Sequence, residues 1–95
     1  VEDNNQLPKG YFISQNYPNP FNPQSIIEFS IPVSEFVAIS VYDLQGRLIK
    51  SLYKGFLEKG KHKLIVDNTS LRSGIYYYQI KTENFTQTRK MTFLK

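Results

Sequence analysis

A chain of 95 residues suits a single domain, and one this short leaves much of its surface wet. It has no cysteine, so neither disulfides nor thiolate metal sites brace it, and no apolar run approaches the length of a membrane span. The formal charge is +4 with a pI near 9.4. The twelve Lys and Arg are scattered, which reads as solvated surface and gives no support for nucleic-acid binding.

In chain order, residues 1–10, VEDNNQLPKG, are polar and carry Pro8 and Gly10. They read as a linker ahead of a folded unit spanning residues 11–95, and as neither a signal peptide nor a transit peptide. Next comes a predicted strand over 11–15, then the run QNYPNPFNP at 15–23, with three prolines and three asparagines. The residue before each proline, Tyr17, Asn19 and Asn22, is pushed out of the α region. Pro18, Pro20 and Pro23 fix their own φ and lack a donor, while asparagine side chains can satisfy nearby backbone groups. A stiff corner between two sheets follows from this composition, with Phe21 and Tyr17 expected as anchors tucked beneath it. The other reading is an exposed recognition loop.

Further strands are predicted over 25–31, 36–43, 47–54, 61–67, 74–82 and 85–94. Alternation places Ile27, Phe29 and Ile31 on one face, as it does Val37, Ile39 and Val41, then His62, Leu64 and Val66, then Tyr76, Tyr78 and Ile80. Leu44-Gln45-Gly46 reads as a hairpin turn. Gly55 to Gly60 reads as a longer loop, residues 68–73 as a crossing between sheets, and Glu83-Asn84 as a tight turn with Asn84 left-handed. Seven short strands at this spacing specify an all-β fold: an immunoglobulin-like, two-sheet antiparallel sandwich without its disulfide or core Trp.

Signals for catalysis are weak. His62 is the one histidine, and its alternation with Leu64 and Val66 suits packing with one satisfied ring nitrogen. No catalytic residue, cofactor site or metal site is expected. Asp43 and Asp67 end strands, where turn capping explains them. Charges in the last strand, Arg89, Lys90 and the terminal Lys95, commonly guard a sheet edge and can equally be read by a partner. Tyr77 is expected to face outward. With Tyr53 and Tyr11 it would form the platform of a carbohydrate-binding accessory module, one alternative reading of the domain. Another is a structural, self-associating immunoglobulin-like module.

The proline run, then Ser25-Ile26-Ile27-Glu28-Phe29-Ser30-Ile31-Pro32, Val41-Tyr42-Asp43 with Gly46-Arg47, Gly60 with His62, Leu71 with Ser73-Gly74-Ile75-Tyr76, and Lys90-Met91 with Leu94-Lys95 together resemble a known family. It is the C-terminal sorting domain of the type IX secretion system, type A, found in Bacteroidetes and related phyla. The resemblance spans residues 7–95. Val66 stands where that family often has Trp. A more distant resemblance is to the immunoglobulin-like domain of flagellar hook-capping proteins.

The resemblance implies a non-catalytic address label at the end of a larger secreted cargo. The parent would reach the periplasm by an ordinary N-terminal signal. The outer-membrane translocon would then recognise the folded tail and deliver the cargo to the surface or the medium. A sortase-like peptidase would cut in the linker, within residues 1–9, in cleaved members. Gly74, Tyr76, Lys90, Met91, Leu94 and Lys95 are the positions it nominates for recognition.

Overall fold

The computed structural model describes residues 10–20, 24–67 and 71–94. Seven strands follow one another: β1 (Phe12–Ile13), β2 (Gln24–Ile31), β3 (Glu35–Tyr42), β4 (Leu48–Leu57), β5 (Gly60–Asp67), β6 (Gly74–Lys81) and β7 (Thr86–Phe93). They form two antiparallel sheets, ordered β1-β2-β5 and β4-β3-β6-β7, with no helix among the described residues. This is the predicted immunoglobulin-like sandwich.

The alternating residues do what their pattern dictates. Ile27, Phe29, Ile31, Val37, Ile39, Val41, Val66, Tyr78 and Ile80 are buried, and Met91 and Phe93 of the last strand join them. Each such aliphatic or aromatic side chain contributes about 1.5–3 kcal/mol relative to exposure. Both sheets supply this one core, so neither is stable without the other. His62 is half-buried as expected: its ring stacks on Phe29 at 5.3 Å and Nε2 lies 2.7 Å from the Glu58 carbonyl.

Two turn expectations need correction. Gly55 does not start a loop; β4 runs on to Leu57, with Gly55 opposite Val37. The Tyr53 phenol crosses over Gly55, 2.9 Å from where a Cβ would sit, so glycine here makes room for a side chain. The connection to β5 is only Glu58 and Lys59. Asn84 is not left-handed, since no non-glycine residue among those described has a positive φ. Its turn closes through Thr82 N–H donating to the Phe85 carbonyl (2.7 Å) and Asn84 N–H donating to Thr82 Oγ1 (3.1 Å).

β4 also carries register shifts between Ile39 and Ser40 and between Val41 and Tyr42 on its partner. Ile39 faces Tyr53 and Ser40 faces Ser51, so Leu52 is the extra residue. The bulge turns both Leu52 and Tyr53 toward the core, which strict alternation cannot do.

The Asp43–Arg47 turn forms as read. Asp43 Oδ1 accepts from the N–H of Gln45 and Arg47, both at 2.9 Å, and Oδ2 accepts from Arg47 Nε at 2.8 Å. These bonds, led by the Arg47 N–H, hold the Asp43 carboxyl below its ordinary pKa. Gly46 has φ +85°, with nothing within 4 Å of a Cβ. Gly46→Ala therefore meets backbone strain alone and should cost about 1–2 kcal/mol in urea unfolding, with no change of fold by circular dichroism.

Candidate functional site

The nominated residues gather along one side of the sandwich, where β1 and β7 are the edge strands. Between β1 and β2, residues 14–19 leave regular pairing, apart from a bridge of Tyr17 to Ile26, and run beside β7. Arg89 Nε donates to the Ile13 carbonyl (2.8 Å), and the Tyr78 hydroxyl donates to the Ser14 carbonyl (2.6 Å). Gln15 Nε2 donates to the Lys90 carbonyl (2.7 Å), and Thr92 N–H donates to Asn19 Oδ1 (2.9 Å). Prolines cannot build a ladder, so side chains supply the bonds that another strand's backbone would make.

Inside the corner, Asn16 is buried. Its Nδ2 donates to Ser25 Oγ (2.9 Å) and the Pro18 carbonyl (3.2 Å), and Ser25 Oγ donates to that same carbonyl (3.0 Å). Tyr17 bridges β2 by backbone bonds to Ile26 in both directions, at 3.0 and 2.8 Å. The peptide bonds before Pro18 and Pro20 are cis.

Tyr17 is not the predicted buried anchor. It is 45 % exposed, with its hydroxyl donating to Glu28 Oε2 at 2.7 Å, a bond that raises its pKa. Its register opposite Ile26 puts it on the outer face of the sheet, and Asn16 takes the inward place instead. Phe21, Asn22, Pro23 and Lys95 lie outside the described residues. Sequence reasoning missed Gln15 and Arg89 as parts of the tie. Their partners are up to 76 residues away, and no local pattern announces them.

The nominated recognition residues divide sharply. Met91 is fully buried in the core. Tyr76 is half-buried; its hydroxyl donates to the Arg72 carbonyl (2.8 Å) and accepts from the Arg72 N–H (3.2 Å). A Tyr at the start of the sixth strand bonding back to the preceding corner is the tyrosine corner of immunoglobulin-like sandwiches. Leu71 is buried beside it and Gly74 opens β6 opposite Phe93, so the Ser-Gly-Ile-Tyr motif builds the corner. Lys90 and Leu94 are exposed. Arg89 is not an edge guard, because its Nε is spent on the Ile13 carbonyl.

Positive charge lies elsewhere than the scatter suggested. Arg47, Lys50, Lys54, Lys59, Lys61 and Lys63, half of the twelve cations, fall between residues 47 and 63 beside one acid, Glu58. They line β4 and β5, which share the flank opposite β7 and are tied there by Lys50 Nζ to Asp67 Oδ1 at 3.6 Å.

The aromatic platform of the carbohydrate reading does not assemble. Tyr11 is buried, stacked on Phe85 at 4.6 Å with its hydroxyl donating to Glu35 Oε2 at 2.5 Å. Burial, then that bond, raises its pKa. Tyr53 packs against the core, and Tyr77 lies half-buried on the outer face of the same four-stranded sheet. Among the described residues no cluster of three or more His, Asp or Glu side chains stands ready for a metal.

The described residues thus form an immunoglobulin-like sandwich with its edge strand tied to a proline-rich corner. The chain belongs to the secretion-system C-terminal sorting domain family, whose profile matches residues 15–93. That family is the sorting tail of type IX secretion; it is non-catalytic and directs proteins to the cell surface or beyond. No curated protein matches the sequence.

Burial pushes the Tyr78 hydroxyl up to about 12. Its neutral form is favoured in the fold, so stability is full below pH 10, the ordinary tyrosine value, and falls as pH climbs from there toward 12. Tyr78→Phe removes the bond to Ser14 and should cost about 1 kcal/mol at neutral pH. It should also flatten the alkaline fall in urea stability relative to the parent. Tyr76→Phe should cost about 1 kcal/mol by the same measure, through loss of the corner bonds.

Proposed function

We propose that this domain is the detachable address of a larger cargo, carried through the periplasm and read, folded, by the outer-membrane type IX translocon. The family match over residues 15–93 carries this reading. A cargo domain precedes residues 1–10, which serve as the linker. A sortase-like peptidase cuts within that linker and frees or anchors the cargo at the surface.

The translocon contacts the exposed part of the terminal ribbon, Lys90 and Leu94 and the Lys95 that follows. Met91, Gly74 and Tyr76 act by holding that ribbon in shape. Burial supports this division for Met91, whose side chain has no exposed surface to offer a receptor, and the two bonds to Arg72 support it for Tyr76. Long-range attraction to an acidic partner comes from the β4–β5 flank more than from the C-terminus, because the lysines stand there.

Deleting residues 91–95 would remove Met91 and Phe93 from the core, confounding loss of recognition with loss of fold. Surface changes separate the two. A reporter fused ahead of the tail, in a bacterium with the type IX machinery, should reach the surface or medium. Lys90→Glu with Leu94→Asn should retain it in the periplasm while the tail still unfolds at nearly the parental temperature. Met91→Ala should instead destabilise the tail by about 2–5 kcal/mol. A parental fusion that stays in the periplasm with its tail folded overturns the sorting reading.

A further inference from the structure

Four strands end the two sheets, and three are protected against pairing. β1 is two residues long, β4 is bulged twice, and β5 presents Lys61 and Lys63 beside Lys59. Each is a known way to blunt an edge. β7 is eight residues, unbulged in its register with β6, and rich in threonine.

The direction of its backbone groups can be read from three bonds. The Phe85 carbonyl faces Thr82 and therefore β6. The Lys90 carbonyl and the Thr92 N–H face away, toward Gln15 and Asn19. By strand alternation, the groups of Thr86, Thr88, Lys90 and Thr92 all point outward. Gln15 and Asn19 satisfy the far half. The N–H and C=O of Thr86 and Thr88, and the N–H of Lys90, have no protein partner among the described residues.

We propose that Thr86–Thr88–Lys90 is the docking edge of the domain, and that it accepts one extended strand of the translocation machinery. Residues 15–19 cap the rest of the edge and so set where that strand stops. The proposal rests on the sorting reading above. The incoming strand adds to the four-stranded sheet by backbone bonds, and an acidic side chain on it meets exposed Lys90. A second copy fits less well. Antiparallel pairing about Thr88 sets the Thr86 N–H of one copy against the Lys90 carbonyl of the other, which Gln15 already occupies.

Proline at an outward-facing position removes the free N–H without breaking the ladder to β6. Thr88→Pro should therefore leave a folded tail, whereas the control Gln87→Pro, facing β6, should unfold it. The parental fusion and T88P are compared for surface delivery of the reporter, with thermal unfolding of each purified tail. Expected is a folded T88P tail whose delivery falls by up to about tenfold, the loss of one backbone bond. In the isolated parent, the Thr86, Thr88 and Lys90 amides should exchange rapidly and that of Thr92 slowly. Thr86→Pro repeats the test at the strand's first residue.

Parental delivery by a folded T88P tail overturns the proposal and leaves the sorting reading standing. Failure of the parent itself removes the sorting reading instead. Unfolding of both T88P and T86P overturns the assigned backbone direction. A concentration-dependent parental dimer, abolished by T88P, assigns the edge to a second copy and overturns the proposal.

Discussion

The structure depends on the tie between residues 13–19 and the last two strands. Four hydrogen bonds join chain segments 64 to 76 residues apart, through Arg89, Tyr78, Gln15 and Asn19. They hold the start of the domain to its end and close one flank of the sandwich. A sandwich of two small sheets gains little from sheet hydrogen bonds alone. Its stability comes from a single shared core, and the tie keeps the two sheets in register around it.

This tie gives the Asn-Pro run a physical purpose. Another ordinary strand there would complete the ladder on β7 and leave no backbone group for a partner. Prolines prevent that ladder, and Gln15 and Asn19 satisfy only one acceptor and one donor. The segment is at once scaffold and partial cover, so the corner and recognition readings of this stretch need not compete. Charge is distributed to match. Lysines crowd the β4–β5 flank, where they protect one edge and provide a field, while the β7 edge is left with threonines and one exposed lysine.

The family motifs sort by the same logic. Ser-Gly-Ile-Tyr makes a tyrosine corner and aligns β6, and Met91 and Phe93 seat β7 in the core. Such residues are required for any function of the domain because they are required for its shape. A residue whose loss abolishes export is therefore a poor guide to contact unless its burial is known. Lys90 and Leu94 are the described positions among those nominated that stand fully exposed to a partner.

The fold class and nearly every strand were legible in the sequence, since period-two alternation directly reflects which face meets water. Ile27-Phe29-Ile31 and Val37-Ile39-Val41 point inward as that period requires. The reading failed where a side chain overruled its own backbone pattern: Gly55 sits in a strand because the Tyr53 phenol covers it, and Leu52 and Tyr53 both turn inward at a bulge. Tyr17, Tyr11 and Arg89 were misplaced for a related reason, as their positions follow from Ile26, Phe85 and Ile13, partners that composition cannot supply. By itself the sequence determined the strands, the shared core and the family. Only the tertiary structure decided which edge is closed, which nominated residues are reachable, and where charge gathers, because those properties arise between residues brought together by folding from distant parts of the chain.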